Sequence, residues 1–235
     1  MRKTRQRTFL VLFLFVFFLQ GCAATQQRRD VVESGFLTEG EHAMLTEGVK
    51  NEALLRYVNP DVDWRSYDKV ILDSVSVWKD PETQDVSPED LKKLTDFAYG
   101  QLHDALSLDY TLVTQPGPGV MRATFAITEA EASNPVADVV TSIIPQTRIL
   151  TGVKGLIVGG KPGFVGTAGL EAKFTDAQTG KVLGLAVDRR GGTKNLRGMT
   201  DKWNDVEQAY IFWAASVRYR LCMLRGDANC VEPDS

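Results

Sequence analysis

The strongest periodic pattern of apolar residues lies in the last part of the chain. Large apolar side chains recur there at steps of three and four residues, which is the spacing of one face of an α-helix. They are Trp203, Val206, Tyr210, Trp213, Val217, Leu221 and Leu224. Thr200 is a suitable N-cap for this helix, and Gly226 is a suitable residue to end it. A stripe that includes three aromatic rings predicts a helix buried against a sheet.

A second amphipathic helix is predicted to begin at Ser87. Ser87 is a good capping residue, Pro88 suits the first helical turn, and Asp90 completes a Ser-x-x-acid capping pattern. The apolar residues that follow share one helical face: Leu91, Leu94, Ala98, Leu102 and Ala105. His103 falls on the opposite face and is therefore expected in solvent.

Five segments have the alternation or the β-branched composition of strands. They are Val70–Trp78, Tyr110–Thr114, Met121–Thr128, Leu170–Thr175 and Lys181–Asp188. The last two form a predicted hairpin around Asp176–Gly180, in which Gly180 is available for the positive φ of the turn.

A weaker helical spacing predicts a further helix over Glu39–Tyr57. Its apolar residues are Met44, Leu45, Val49, Leu54 and Leu55. Gly40 and Gly48 each weaken this helix by about 1 kcal/mol.

The order of these elements predicts one domain of the α/β (α+β) class. We expect a mixed β-sheet of about five strands with helices packed on it. The domain spans residues 35–226, and residues 227–235 form a C-terminal tail. The segment 134–169 fits neither a long helix nor a regular central strand, because glycine and proline interrupt its apolar residues. Its glycine-rich part, residues 149–169, is a candidate contact surface.

The N-terminal segment has the three-part layout of an export signal. Basic residues precede an apolar run from Phe9 to Leu19, which is too short to cross a hydrocarbon core of about 30 Å as a helix. Gly21-Cys22 ends this segment in a way that resembles the lipobox of bacterial lipoproteins, whose cysteine carries the lipid. We therefore interpret residues 1–21 as a lipoprotein signal peptide and residues 22–34 as a polar, lipidated tether. The alternative is an ordinary signal peptide followed by a chance cysteine.

Charge narrows the classes of partner. The chain has 235 residues with 27 basic and 30 acidic side chains, and four of the basic ones lie in the signal. The mature protein is therefore acidic, which disfavours nucleic acid as a partner because nucleic acid attracts basic faces. Contact with the membrane is expected to depend on the lipid of Cys22 rather than on anionic headgroups. No cofactor is predicted.

The remaining cysteines form an even pair if Cys22 is acylated. Cys222 and Cys230 are separated by seven residues, and in an oxidising compartment such a pair predicts a disulfide. Cys222 lies off the apolar stripe of the last helix, so it is free to face the returning tail. Two free thiols near a frayed terminus are the alternative.

Several short motifs resemble a family of uncharacterised bacterial lipoproteins termed DUF3313. They are Gly35–Leu37, Leu55–Pro60, Tyr67–Val70 leading into Trp78, Pro116–Gly119 and Asp176–Gly180. The resemblance covers residues 35–224 and implies a lipid-anchored envelope domain. It implies no activity, because the family has none assigned.

The motifs of nucleotide and metal chemistry are weak. Gly155–Lys161 begins like a phosphate-binding loop, but Pro162 replaces the hydroxyl residue that should reach magnesium and blocks the helix that should follow. His42 and His103 are the two histidines of the chain, and their spacing from the thiols does not match a zinc site.

Two clusters of charge are candidates for a site. Glu171 and Asp188 are a candidate carboxylate pair, although facing strands often carry such residues. Arg189 and Arg190 begin a basic, glycine-rich stretch that extends to residue 198. It is interpreted as a solvated link, and an anionic partner site is the alternative.

These observations predict a non-enzymatic lipoprotein that is anchored to the outer membrane, faces the periplasm and contacts another envelope protein. Ala23 follows the cysteine, and by resemblance to enteric lipoproteins a residue other than Asp at this position favours the outer over the inner membrane. The periplasmic face of the inner membrane is the alternative location.

Two further hypotheses remain for the activity. One is a module that binds a small lipid or metabolite in a pocket between the last helix and the sheet, lined by Tyr210 and Trp213. Arg189, Arg190, Tyr210 and Trp213 are therefore the predicted partner or ligand surface. The other is a hydrolase that uses His103 or the carboxylate pair.

Overall fold

The computed structural model describes residues 25–29, 33–49, 52–78, 86–132, 166–192 and 202–234. The strands are β1 (Thr25–Gln27), β2 (Thr46–Glu47), β3 (Leu55–Val58), β4 (Lys69–Leu72), β5 (Ser76–Val77), β6 (Thr111–Leu112), β7 (Val120–Glu131), β8 (Thr167–Asp176) and β9 (Val182–Gly192). The helices are α1 (Glu39–His42), α2 (Pro88–Ser107) and α3 (Asn204–Arg225). Among these helices, none is both long and apolar enough to cross a membrane.

The strands form one mixed sheet. Neighbouring strands run in the order β2, β3, β9, β8, β7, β4 and β6, while β1 also pairs with β9 and β5 with β7. The long strands β7, β8 and β9 are antiparallel, whereas β4 and β5 are parallel to β7. The predicted class, a mixed sheet with helices packed on it, is confirmed. The described part has more strands than the five expected, because the short N-terminal strands β1, β2 and β3 extend the sheet beyond β9.

The helices α2 and α3 cover one face of the sheet. The helix α2 begins as its capping pattern predicted, since the Ser87 hydroxyl accepts a hydrogen bond from Asp90 N–H at 3.1 Å. The residues it buries are Leu94, Ala98, Leu102 and Leu106. The helix α3 buries most of its predicted apolar stripe and ends at Gly226, which has a φ of 69°. The main core fills the space between these helices and the inward side chains of β7 and β8, including Phe125 and Phe174.

The segment 33–49 covers part of the other face. Leu37 is buried there against Leu185 and Val187 of β9. Lys173 of β8 forms an ion pair with Glu41 of α1, with an Nζ–Oε1 distance of 3.0 Å. The central strands are therefore packed on both faces. This explains why the residues between the apolar positions of these strands are also at least partly buried.

The helix expected over Glu39–Tyr57 is wrong beyond its first turn. The chain instead reverses at Gly48, whose N–H donates to the Leu54 carbonyl at 2.9 Å, and β2 pairs with β3. A Cβ at Gly48 would lie 1.9 Å from the Ala53 carbonyl oxygen, so this reversal requires glycine. The apolar residues of the segment cover a sheet face, and this tertiary packing overrides their helix-like spacing.

The strand expected over Val70–Trp78 is divided into β4 and β5. Between these two strands, the Asp73 carboxylate accepts hydrogen bonds from Arg122 Nη1 at 2.7 Å and from Thr124 Oγ1 at 3.1 Å. Both parts lie along β7, so the division changes the strand count and not the topology.

The predicted tether is bound to the domain where the structure describes it. Residues Thr25–Gln27 pair with Arg190–Gly192 of β9, and Thr25 is buried. The polar composition of this segment predicted that it would not pack. A strand can nevertheless be bound through its backbone and through polar side-chain hydrogen bonds, which do not need apolar residues.

Two of the glycines of segment 33–49 test the corrected fold. A Cβ at Gly40 meets nothing within 4 Å, whereas a Cβ at Gly48 overlaps the Ala53 carbonyl. We expect Gly40→Ala to raise the free energy of unfolding by up to about 1 kcal/mol, because alanine favours helix and restricts the unfolded chain. We expect Gly48→Ala to lower it by more than about 1 kcal/mol. Urea denaturation followed by circular dichroism measures both, and stabilisation at both positions would instead support one continuous helix.

Candidate functional site

A buried carboxylate joins three separate segments to β9. This strand pairs with β8 on one side, and on its other side first with β3 and then with β1. Asp188 lies at the gap between β3 and β1. Its Oδ1 accepts hydrogen bonds from Gln27 Nε2 at 2.7 Å and Leu54 N at 3.2 Å, and its Oδ2 accepts one from Trp213 Nε1 at 2.7 Å. One side chain therefore holds the N-terminal strand, the entry to β3 and the helix α3.

A buried base lies two residues further along the same side of β9. Arg190 Nε donates to Thr25 Oγ1 at 2.7 Å and its Nη2 donates to the Thr25 carbonyl at 3.0 Å. Its guanidinium lies 3.6 Å from the centre of the Phe212 ring, which is a cation–π contact. Burial lowers the pKa of Arg190, while the Asp188 charge acts in the opposite direction.

Burial also dominates the electrostatics of Asp188. Asp188 is only 6% exposed, and this burial raises its pKa above the usual range. The hydrogen bonds from Trp213 and Gln27 and the charge of Arg190 oppose the rise in pKa. They are the interactions that make a carboxylate tolerable in this position.

An apolar groove lies between α3 and the sheet, and Asp188 and Trp213 are part of its lining. Its volume is about 240 Å³. The larger apolar side chains that line it include Trp64, Leu170, Phe174, Val217, Leu221 and Leu224. These residues come from β8, from α3 and from the turn that precedes β4, so the groove is a product of the whole fold.

Charged side chains mark the open side of the groove. Arg56 of β3 and Arg220 of α3 have side chains that are 38% and 35% exposed. Glu52 lies between them: its carboxylate contacts Arg56 Nε and is 3.4 Å from Arg220 Nη1. The Ser216 hydroxyl also lines the groove and is buried, and it has no hydrogen-bond partner among the described residues.

The four residues of the predicted partner or ligand surface are all buried. They are Arg189, Arg190, Tyr210 and Trp213. The two arginines are not part of a solvated link, because β9 continues through them to Gly192. Successive strand residues point to opposite faces. Arg189 therefore pairs with Glu129 on one face, whereas Arg190 faces α3 on the other.

The predicted pocket between the last helix and the sheet corresponds to the groove in part. Trp213 lines the groove, whereas Tyr210 lies beside Trp213, with ring centroids 5.9 Å apart, and is not among the lining residues. Sequence reasoning missed Glu52, Arg56 and Arg220 as lining residues, because their convergence depends on the pairing of β3 with β9.

Cys222 and Cys230 form a disulfide with a Cα–Cα distance of 5.6 Å, which ties the tail to α3. Cys22 lies outside the described residues, as do Thr200 and the phosphate-loop-like Gly155–Lys161. The N-cap expected at Thr200 is wrong, because α3 begins at Asn204 with Trp203 as its N-cap. The candidate contact surface 149–169 is described only from residue 166, and Thr167 to Gly169 belong to β8.

The residues considered for hydrolysis do not converge. Glu171 pairs across the strands with Val187, so its carboxylate faces away from Asp188, and its Oε2 accepts the Leu37 N–H at 3.2 Å. The His103 side chain is 45% exposed, and its Nδ1 is 3.2 Å from Asp104 Oδ1. In the described part of the chain, His, Cys, Asp and Glu residues form no group of three or more suited to a metal ion.

The chain belongs to the family described as "Protein of unknown function (DUF3313)", whose model matches residues 32–217, and the predicted membership is confirmed. It is 25% identical over 179 residues to "Uncharacterized lipoprotein YdcL" of Escherichia coli strain K12, which covers 76% of this chain and 78% of the relative. The Escherichia coli O157:H7 protein of the same name gives the same values.

Two solved structures align with parts of this chain. A PelC dodecamer from Paraburkholderia phytofirmans aligns with a TM-score of 0.39 and 15% identity, over 69% of this chain and 93% of the PelC chain. Protein XCC0632 from Xanthomonas campestris, of family DUF330, aligns with a TM-score of 0.39 and 10% identity, over 71% and 90% of the two chains.

Two aromatic residues of α3 test the hydrogen bond to Asp188. Trp213→Phe removes the indole donor, and a hydrogen bond to a charged group contributes about 1.5–3 kcal/mol, so we expect a loss of that order in the free energy of unfolding. Tyr210→Phe is the control, because the Tyr210 hydroxyl is buried without a hydrogen-bond partner among the described residues. We expect it to change stability by less than about 0.5 kcal/mol or to stabilise. Equal losses by urea denaturation would contradict the assignment.

The pH dependence of stability tests the electrostatics of Asp188. A raised pKa means that the folded protein holds the proton more tightly than the unfolded chain does, so the contribution of Asp188 to stability falls as pH rises above about 4. We expect the difference in unfolding free energy between wild type and Asp188→Asn to be smaller at neutral pH than at acidic pH. Urea denaturation at a series of pH values measures it.

Asp176→Asn is the control with the opposite sign. The backbone N–H of Thr179 and then its hydroxyl lower the pKa of Asp176, so its contribution is present at neutral pH and is lost as pH falls. The difference between wild type and this variant should therefore grow as pH rises. Parallel trends for the two variants would refute the raised pKa of Asp188.

Proposed function

We propose that the protein is an exported lipoprotein that is anchored to the outer membrane through an acylated Cys22. Its domain faces the periplasm and contacts another envelope protein rather than catalysing a reaction. The signal-like residues 1–21, the lipobox-like Gly21-Cys22 and Ala23 support the anchor and its location. Membership of DUF3313 and the similarity to an uncharacterised lipoprotein support the lipoprotein class.

The observation that carries the proposal is the position of β1. This strand begins at Thr25, three residues after Cys22, and an extended chain spans at most about 3.6 Å per residue. The acylated residue would therefore lie within about 10 Å of the sheet. Arg190 and Asp188 bind this strand through Thr25 and Gln27. A lipid attached so close to a bound strand would hold the domain at a fixed distance from the membrane. A fixed distance suits a domain that contacts another envelope protein.

A second candidate function is the binding of a small ligand. The groove beside Asp188 favours it, because the groove is mainly apolar, is partly enclosed and has a few polar groups on one side. Neither candidate requires a reacting group.

Labelling with radioactive palmitate tests the anchor. We expect label in the wild-type protein and its recovery with the outer-membrane fraction, since several acyl chains on one cysteine hold a protein firmly. We expect Cys22→Ala to abolish both. The double variant Cys222→Ala and Cys230→Ala is the matched control: it removes the disulfide-bonded cysteines and should keep the label. Labelling of Cys22→Ala at the wild-type level, or unlabelled wild-type protein in the soluble fraction, would reject the anchor.

A further inference from the structure

We propose that the groove between α3 and the sheet binds a small anionic amphiphile, a medium-chain carboxylic acid of about ten carbons. Its hydrocarbon tail lies against the apolar lining, and its carboxylate lies at Arg56 and Arg220. This inference gives a ligand class to the second candidate function and is independent of the lipid anchor.

The volume of the groove sets the size of the ligand. A dry engineered cavity of about 150 Å³ holds benzene, which has six carbons. The groove has a volume of about 240 Å³ and scales to about ten heavy atoms. Trp64, Phe174 and Leu221 give it an apolar lining that suits a hydrocarbon tail. A two-chain phospholipid is several times too large for this space.

The charges on the open side set the sign of the head group. Two guanidinium groups, Arg56 and Arg220, share the Glu52 carboxylate, which also accepts a hydrogen bond from Val49 N–H at 3.0 Å. A guanidinium carries five N–H donors, so each arginine can bond to a second carboxylate. Asp188 is the other acid in the lining, and it already accepts hydrogen bonds from Gln27, Leu54 and Trp213.

Ser216 also lines the groove, and its hydroxyl is a candidate third donor. Ser216 precedes Arg220 by one helical turn, so both side chains lie on the same face of α3. Among the described residues the buried Ser216 hydroxyl has no hydrogen-bond partner, and a buried hydroxyl left unpaired costs about 1–3 kcal/mol. A rotation of the Ser216 side chain toward the groove would let a bound carboxylate accept this bond and remove that cost.

Decanoate is the probe, and the tryptophan indoles are the readout. The chain has four tryptophans, of which Trp64 and Trp213 line the groove whereas Trp78 and Trp203 do not. The protein is the chain from Ala23 to Ser235, which keeps every described residue. We expect decanoate, below its micellar concentration, to shift the indole N–H signals of Trp64 and Trp213 saturably. The signals of Trp78 and Trp203 should stay in place.

Two further probes with the same ten-carbon chain isolate the effect of the head-group charge. Decanol lacks it and decyltrimethylammonium reverses it. We expect decanoate to bind about ten-fold more tightly than either probe, which corresponds to about 1.4 kcal/mol. Arg56→Gln and Arg220→Gln should each weaken decanoate several-fold and leave decanol within about two-fold. Arg218→Gln is the matched control on the same helix, because Arg218 pairs with Asp109 at 2.7 Å and does not line the groove.

A groove-filling variant and two further binding results separate the ligand class from ligand binding itself. Ser216→Phe fills the groove and should abolish binding of decanoate and decanol; if this variant does not fold, the arginine variants still test the site. Equal binding of all three probes would overturn the anionic class and leave ligand binding intact, which would favour an apolar group such as a partner's side chain. No saturable shift with any probe would overturn both the ligand class and the second candidate function.

Discussion

The burial of one carboxylate constrains the arrangement of segments that are far apart in the sequence. An ionised carboxylate inside a protein costs several kcal/mol unless donors surround it. The donors to Asp188 are Gln27, Leu54 and Trp213, which lie 161, 134 and 25 positions away. The carboxylate is therefore satisfied only when β1, the entry to β3 and α3 are docked together. Removing one of these donors leaves the buried carboxylate less well satisfied, which lowers the stability of the docked arrangement.

The same strand connects the N-terminal segment to the groove. Gln27 of β1 donates from Nε2 to Asp188 and also to the backbone carbonyl of Glu52, at 2.8 Å. Asp188 belongs to the lining of the groove, and the Glu52 carboxylate lies between its two arginines. The residue that follows β1 continues this contact with β9, because Arg28 N–H donates to the Arg189 carbonyl at 2.8 Å. The shape of the groove therefore depends on a strand that begins three residues after Cys22.

The elements that sequence predicted well have local signals. The cap at Ser87, the apolar stripe of α3 and the turn glycine Gly180 each act within a few residues, so a short window contains the information. The strands β1, β2 and β3 have two to four residues each and carry no usable periodicity. Their stability comes from pairing with β9 and with each other, as in the register of Leu55 with Val187, and this long-range pairing is invisible in a window.

The candidate site was harder to predict because charge was taken as a sign of exposure. Arg189 and Arg190 resemble a solvated link when only their neighbours are considered. Their partners, Glu129 and Thr25, are 60 and 165 positions away. The glycines that follow the arginines let β9 lie close to α3: a Cβ at Gly192 would lie 2.1 Å from the Asp205 side chain.

The chemistry of the groove supports the proposal that it binds a ligand. A general base needs a lone pair directed at the proton of a bound substrate. Both oxygens of Asp188 already accept hydrogen bonds from protein donors, and the Glu52 carboxylate is held by Arg56 and Arg220. These acids are committed to the architecture of the site. The donors that the groove offers to the proposed ligand are the guanidinium groups of Arg56 and Arg220 and the Ser216 hydroxyl, so the chemistry of the lining matches that of an acceptor.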